Sequence, residues 1–273
     1  MLELGARPLV MGILNVTPDS FAESAPTLDP AMSIEAALRM EAEGADIVDV
    51  GGESTRPGAD PVSADEELAR ILPVFHGLAG RLRVPISVDT YKAAVARAAI
   101  DAGAAIVNDV SGLRGEPALA VVAAERGAAL VLMHTRGRSK TMYAEAAYDD
   151  VVRDVARELK ASVQTATEAG VPLDRIILDP GVGFAKRPLH SYGVLARLPE
   201  LAAALDRPLL VGPSRKSFMR DAVGDRPAPE RDWGTAAAVT AAVLAGAHIV
   251  RVHAVAAMIQ VVRVAEEIRR HQP

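Results

Sequence analysis

EAEGADIVDV at 41–50, DAGAAIVNDV at 101–110, AERGAALVLM at 124–133 and LAGAHIVRV at 244–252 repeat one device. In each, a helical stretch runs into a glycine and a branched apolar run begins at once, the pattern of a glycine ending a helix before the next strand. Working outward, the same unit predicts eight strands: Leu9 to Val16, Asp46 to Gly51, Pro85 to Asp89, Ala105 to Val110, Ala129 to His134, Arg175 to Asp179, Pro208 to Val211 and His248 to His253. Apolar residues at helical spacing fill 33–43, 64–80, 91–102, 117–126, 145–169, 191–205, 233–245 and 256–271. The strands are nearly continuous in apolar residues, as strands covered on both faces are. No Pro/Ser-rich break divides the alternation, so residues 1–273 read as one domain with irregular surface segments at 22–31, 136–144 and 221–232. An open doubly wound sheet fits the same alternation, but eight units in 273 residues favour a single (β/α)8 TIM barrel with its active site at the carboxyl-terminal rim of the strands.

Composition narrows the chemistry. A net charge of -5 sets the overall field against nucleic acid and anionic membranes, so an anionic substrate must be held by local cations. The absence of cysteine excludes a disulfide framework, thiolate metal sites and cysteine nucleophiles, and makes a reducing cytoplasm the default compartment. The start, MLELGARPLVMGILNV, places an acidic residue before any basic one, which predicts neither a signal peptide nor a membrane span.

Polar residues fall at the carboxyl ends of most of these strands: Asn15, Asp89, Asn108, Asp109, His134, Asp179 and His253. Any one of them alone could simply cap the following helix. Seven on one rim describe a concave polar site able to read a small heteroaromatic ligand.

MGILNVTPDSF at 11–21, DVGGESTRPGA at 49–59, SVDTYK at 87–92, NDVSG at 108–112, LDPGVGFAK at 178–186 and SRKSF at 214–218 closely resemble the motifs of the dihydropteroate synthases, and RVHAV at 251–255 does so in part. The resemblance runs from the first strand to the last. It implies a transferase of folate biosynthesis that condenses 6-hydroxymethyl-7,8-dihydropterin diphosphate with p-aminobenzoate, by an SN1-like path, to 7,8-dihydropteroate and pyrophosphate. It assigns Thr55, Asp89, Asn108, Asp179, Phe184, Lys216, Arg251 and His253 to the pterin diphosphate, with Lys216, Arg251 and Asp89 also catalytic. Phe21, Arg56, Pro57 and Ser217 go to p-aminobenzoate, and Asn15 to Mg2+. It also implies sulfonamides as inhibitors and a homodimer packed through helices away from the rim. Independently, Arg251 and His253 share a strand face, so an arginine fork and an imidazole converge. Ser217 is expected to open a helix whose N-H groups receive the aminobenzoate carboxylate.

The chain departs from the family pattern in places. After Phe21 the family commonly has SDGG, where this chain has Ala22, Glu23, Ser24 and Ala25; Ala185 and Ala254 replace a common glycine and a common aspartate. The altered first loop keeps in view a pterin-binding homologue without turnover, and the shared barrel and acidic pterin grip keep in view a pterin-dependent methyltransferase module. The SRKSF and NVTPDSF strings argue against the second.

Overall fold

The computed structural model describes residues 4–17, 29–56, 58–137 and 141–272. Eight strands alternate with helices: β1 (Leu9–Asn15), β2 (Ile47–Gly51), β3 (Ile86–Asp89), β4 (Ala104–Asp109), β5 (Ala129–Met133), β6 (Ile176–Asp179), β7 (Leu210–Val211) and β8 (Ile249–Val252). All the ladders are parallel and run β6-β5-β4-β3-β2-β1-β8-β7. A single parallel bridge between Leu178 and Leu209, with Leu178 N-H donating to the Pro208 carbonyl at 2.9 Å, joins the two ends. The barrel therefore closes, and its thinnest seam lies between β6 and β7.

The helices are α1 (Pro30–Ala42), α2 (Ala64–Leu78), α3 (Ala93–Asp101), α4 (Ala118–Arg126), α5 (Val151–Glu168), α6 (Pro188–Ala196), α7 (Leu198–Leu205), α8 (Arg220–Val223), α9 (Asp232–Leu244) and α10 (Val255–Arg270). Local chemistry sets their ends. Asp29 caps α1 by accepting from Ala31 N-H, and Ser63 caps α2 by accepting from Glu66 N-H at 3.1 Å. Three expectations need correction. α5 begins at Val151 rather than 145, because Asp150 accepts from Val152 and Arg153 N-H and the residues before it form turns. The stretch 191–205 is two helices broken at Arg197, beside Pro199, which has no N-H to continue the ladder. Ser217 opens only a three-residue 3-10 turn, Ser217–Met219, which leads into the four-residue α8. So short an element has little macrodipole to offer a carboxylate.

Inside the barrel, Leu9, Met11, Ile47, Ile106, Val131, Ile177, Leu210 and Ile249 form one apolar plug, separate from the larger core between sheet and helices. Because side chains alternate along a strand, the next inward position lies two residues on. Ile13 and Asn15 follow Met11, Asp49 follows Ile47, Asn108 follows Ile106, Asp179 follows Ile177, Gly212 follows Leu210, and Arg251 and His253 follow Ile249. One pleat above the plug, the interior turns polar. Ile177→Ala opens a hole in that plug, and we expect it to lower stability by about 2–5 kcal/mol, read as a lower denaturant midpoint. An unchanged midpoint would mean that the barrel interior does not carry the fold.

Candidate active site

The polar end of the barrel opens into a cleft of about 680 Å³. Asn15, Asp89, Arg251 and His253 line it from β1, β3 and β8, while Thr55 and Arg56 reach it from the loop after β2. Phe184 comes from the loop after β6, and Lys216 and Ser217 from the loop after β7. Asn108 and Asp179 lie in the same polar layer, each almost fully buried. Phe21, Pro57 and the altered segment Ala22 to Ala25 lie outside the described residues.

Arg251 organises the floor. Its Nε donates to Asp49 Oδ2 at 2.6 Å and its Nη2 to Asp89 Oδ2 at 2.6 Å, so one guanidinium ties β8 to β2 and β3. Asp49, 0% exposed, also accepts from Asn108 Nδ2 at 3.0 Å. That bond uses one of the two N-H donors of the Asn108 amide and fixes its orientation, with the side-chain oxygen turned away from Asp49. Asp49 is a site residue that reading the sequence for strand ends passed over. It sits two residues before the end of β2, although the period-two rule applied from Ile47 would have found it. Burial pushes the Asp89 carboxyl up to about 7, against the pull of Arg251 and with the help of neighbouring Asp49.

Asp179 serves two ends at once. Oδ1 accepts from Gly181 N-H at 2.7 Å, the turn role expected of an aspartate before Pro-Gly, while Oδ2 faces the gap kept open by Gly212. Lys216 Nζ donates to the Val182 carbonyl at 2.6 Å and lies 4.4 Å from the centre of the Phe184 ring. Burial lowers its pKa to about 8, partly countered by Asp179. His253 is neutral: burial, then Arg251, lowers its pKa to about 3. Ser214 Oγ accepts from His253 N-H at 3.2 Å and lies 2.9 Å from its Nδ1. The hydroxyl proton is then best spent on Nδ1, which leaves Nε2-H as the ring's remaining donor.

Two buried clusters hold the loops from behind. Glu53, at the base of the second loop, accepts from Tyr91 Oη at 2.9 Å and pairs with Lys92, which also reaches Glu67 at 2.5 Å. Lys186, 1% exposed, donates to the Phe184 carbonyl at 3.1 Å and to His134 Nδ1 at 2.8 Å, and His134 Nε2 is 3.1 Å from Glu158. His134 therefore props the Phe184 loop instead of lining the cleft. Asp109 likewise spends both oxygens on the N-H groups of Ser111 and Leu113. Ala185 keeps the left-handed backbone, φ 47°, that a glycine adopts without strain, and its carbonyl accepts from Tyr148 Oη at 2.9 Å. Tyr143, on the loop after β5, also lines the cleft, and nothing in the strand pattern pointed to it.

Known proteins are similar to this chain in sequence and fold. The family model described as pterin binding enzyme matches residues 11–253. The dihydropteroate synthase of Synechocystis sp. is 46% identical over 271 residues, covering 99% of this chain and 93% of that protein. The dihydropteroate synthase of Clostridium difficile, solved in the presence of pteroic acid, superposes with a TM-score of 0.91 at 40% identity, covering 98% of this chain and 99% of that one. That of Yersinia pestis, solved with a sulfonamide drug, gives 0.92 at 41%, covering 99% and 97%.

Asp49→Ala strips Arg251 of one counter-charge and Asn108 of its acceptor. We expect it to cost about 3–5 kcal/mol of stability and to weaken ligand binding, as followed by thermal melting and calorimetry; an unshifted melting temperature would refute the shared-acceptor role. Lys216 is charged below about 8 and loses that charge as the pH rises through it. Affinity for a heterocycle whose ring acceptor meets this amine should therefore fall across that window, and a flat calorimetric profile would count against the contact.

Proposed function

The chain belongs to the pterin binding enzyme family, and on that premise we propose that its cleft joins 6-hydroxymethyl-7,8-dihydropterin diphosphate to p-aminobenzoate, releasing pyrophosphate and forming 7,8-dihydropteroate. The observation that carries the reading is the floor itself. Asp179 Oδ2 and the Asn108 side-chain oxygen present acceptors, and Lys216 a donor, above the apolar plug. A dihydropterin edge offers the matching set: a 2-amino group and a ring N-H for the acceptors, and a ring acceptor for the lysine. To reach the ring, Lys216 exchanges its bond to the Val182 carbonyl for one to the substrate.

The bond to be broken joins the pterin methylene carbon to the diphosphate oxygen, and its electron pair leaves with pyrophosphate. Arg251, with Nε and one Nη already on carboxylates, carries the charge that favours the leaving anion, and His253 contributes a neutral N-H dipole. The resulting pterin cation is met by the amine of p-aminobenzoate, whose lone pair forms the new carbon-nitrogen bond; the ammonium so formed loses one N-H proton to the departed pyrophosphate or to water, which leaves the neutral secondary amine. Thr55 and Arg56 lie on the cleft wall where closure of the second loop would exclude competing water. Phe184, against Lys216, borders the pterin side, and Ser217 lies toward the aminobenzoate end.

Among the described residues no group of three His, Cys, Asp or Glu is placed to cage a metal ion. Asn15, with a half-buried side chain on the cleft wall, fits a different arrangement, in which Mg2+ takes one protein oxygen and completes its shell with phosphate and water. When bound there, Mg2+ would neutralise charge on the diphosphate. Two further properties belong to the same proposal. A homodimer through outer helices is supported by Val264 and Ile268, 62% and 49% exposed and one turn apart on α10. A reducing cytoplasmic setting is supported by the cysteine-free composition, and no helix among the described residues is long and apolar enough to cross a membrane.

Purified protein with both substrates and Mg2+ should release pyrophosphate only when p-aminobenzoate is present, and a sulfonamide should raise the KM for p-aminobenzoate. Lys216→Ala should weaken pterin binding and turnover together. Pterin binding without product would instead mark a homologue that binds but does not condense.

A further inference from the structure

The aminobenzoate end has a wall that the family motifs do not contain. Tyr143 lies in the turn between β5 and α5, and its Oη comes to 3.4 Å from Ser217 Oγ, bridging the loop after β5 to the loop after β7. The turn is fixed from below. Met142 is 2% exposed and Ala146 5%, and Ala144 N-H donates to the Thr141 carbonyl at 2.9 Å. Tyr143 itself is 39% exposed. Of nine aromatic residues in the chain (four Phe, four Tyr and one Trp), Tyr143 and Phe184 share the lining of this one cleft.

The neighbouring side chains divide the cleft lengthwise. Lys216 turns inward to the Val182 carbonyl and the Phe184 ring, while the adjacent Ser217 turns outward to Tyr143. An aminobenzoate whose amine must face the pterin carbon therefore leaves its opposite, carboxylate end beside the two hydroxyls. At 3.4 Å their mutual hydrogen bond is long, since hydroxyl pairs settle at about 2.7–2.8 Å. Whichever hydroxyl accepts in it keeps its own proton for a third group, the weak bond is readily exchanged, and a carboxylate oxygen receives such donors strongly. A sulfonyl group presents oxygens at the same place on a ring of the same width.

We propose that Tyr143 is a specificity-determining residue of the condensation: with Ser217 it forms a two-hydroxyl clamp for the carboxylate of p-aminobenzoate, and its ring walls the arene. The proposal rests on the synthase reading above. Its clamp is uncharged, so it reads oxygen acceptors at the end of the amine substrate rather than net charge.

The test is steady-state kinetics of the wild type, Tyr143→Phe and Tyr143→Ala with two amines, p-aminobenzoate and aniline, which lacks the carboxylate. Loss of one hydrogen bond to a charged group should raise the KM for p-aminobenzoate about tenfold in Tyr143→Phe, and further in Tyr143→Ala. The KM for the pterin diphosphate should stay put in both. With aniline, Tyr143→Phe should behave as the wild type, because the acceptor that the hydroxyl serves is missing. An active wild type whose KM for p-aminobenzoate is unmoved in Tyr143→Ala overturns the clamp alone, as does an equal rise in both substrates' KM. A wild type that releases no pyrophosphate with p-aminobenzoate overturns the synthase reading beneath it. The residue is 39% exposed, and a melting temperature equal to the wild type's in both variants separates a lost contact from a folding defect.

Discussion

The polar floor of this barrel depends on one guanidinium. Arg251 stands on β8 and is shared by carboxylates from β2 and β3, one of them wholly buried. Burial, with the neighbouring Asp49 adding to it, pushes the Asp89 carboxyl toward neutrality even in the presence of that guanidinium. Through Asp49 the same guanidinium also fixes the amide of Asn108, and so decides which face of that side chain a ligand meets. Recognition and fold stability are therefore one network here. A substitution aimed at either disturbs both.

Much of this was legible in the chain because two periodicities coincide. Parallel strands buried on both faces announce themselves as branched apolar runs, and closure forces every second residue inward. Asn15, Asp89 and His253 could thus be assigned to the cleft, and Asn108 and Asp179 to its floor, from their position at strand ends. The same logic misplaced His134, whose backbone lies just beyond β5 but whose ring is drawn behind the Phe184 loop by Lys186 and Glu158. Strand-end position gives direction. It does not say which of two neighbouring polar partners a side chain will choose.

Other features were not legible, for physical reasons that differ. Asp49 is hidden by its neighbours, since an acid between two valines in IVDVG looks like an interruption of a strand rather than the anchor of a site. Tyr143 belongs to a loop, where no period constrains direction and only the packing of Met142 and Ala146 sets it. The helix expected at Ser217 shrank to a 3-10 turn and a four-residue helix that stops at Gly224. What α8 fails to supply as a dipole is left to individual side chains of the cleft wall, hydroxyl groups among them.

The glycines of the loop after β6 carry a consequence for how such a protein can change over generations. A Cβ at Gly181 would stand 1.9 Å from the His134 carbonyl oxygen, and one at Gly183 would stand 2.8 Å from Lys216 Cδ. A side chain at Gly181 would have to displace the His134 backbone, and one at Gly183 would push on the chain of Lys216; both positions also hold the left-handed backbone, φ 67° and 81°, that favours glycine. The outer end of the cleft is built from exposed side chains on loops, where substitutions cost little stability. Under pressure from a competitor of the amine substrate, heritable variation is therefore channelled outward: the floor is closed to it by geometry, and escape is written in the loop residues that the competitor itself touches.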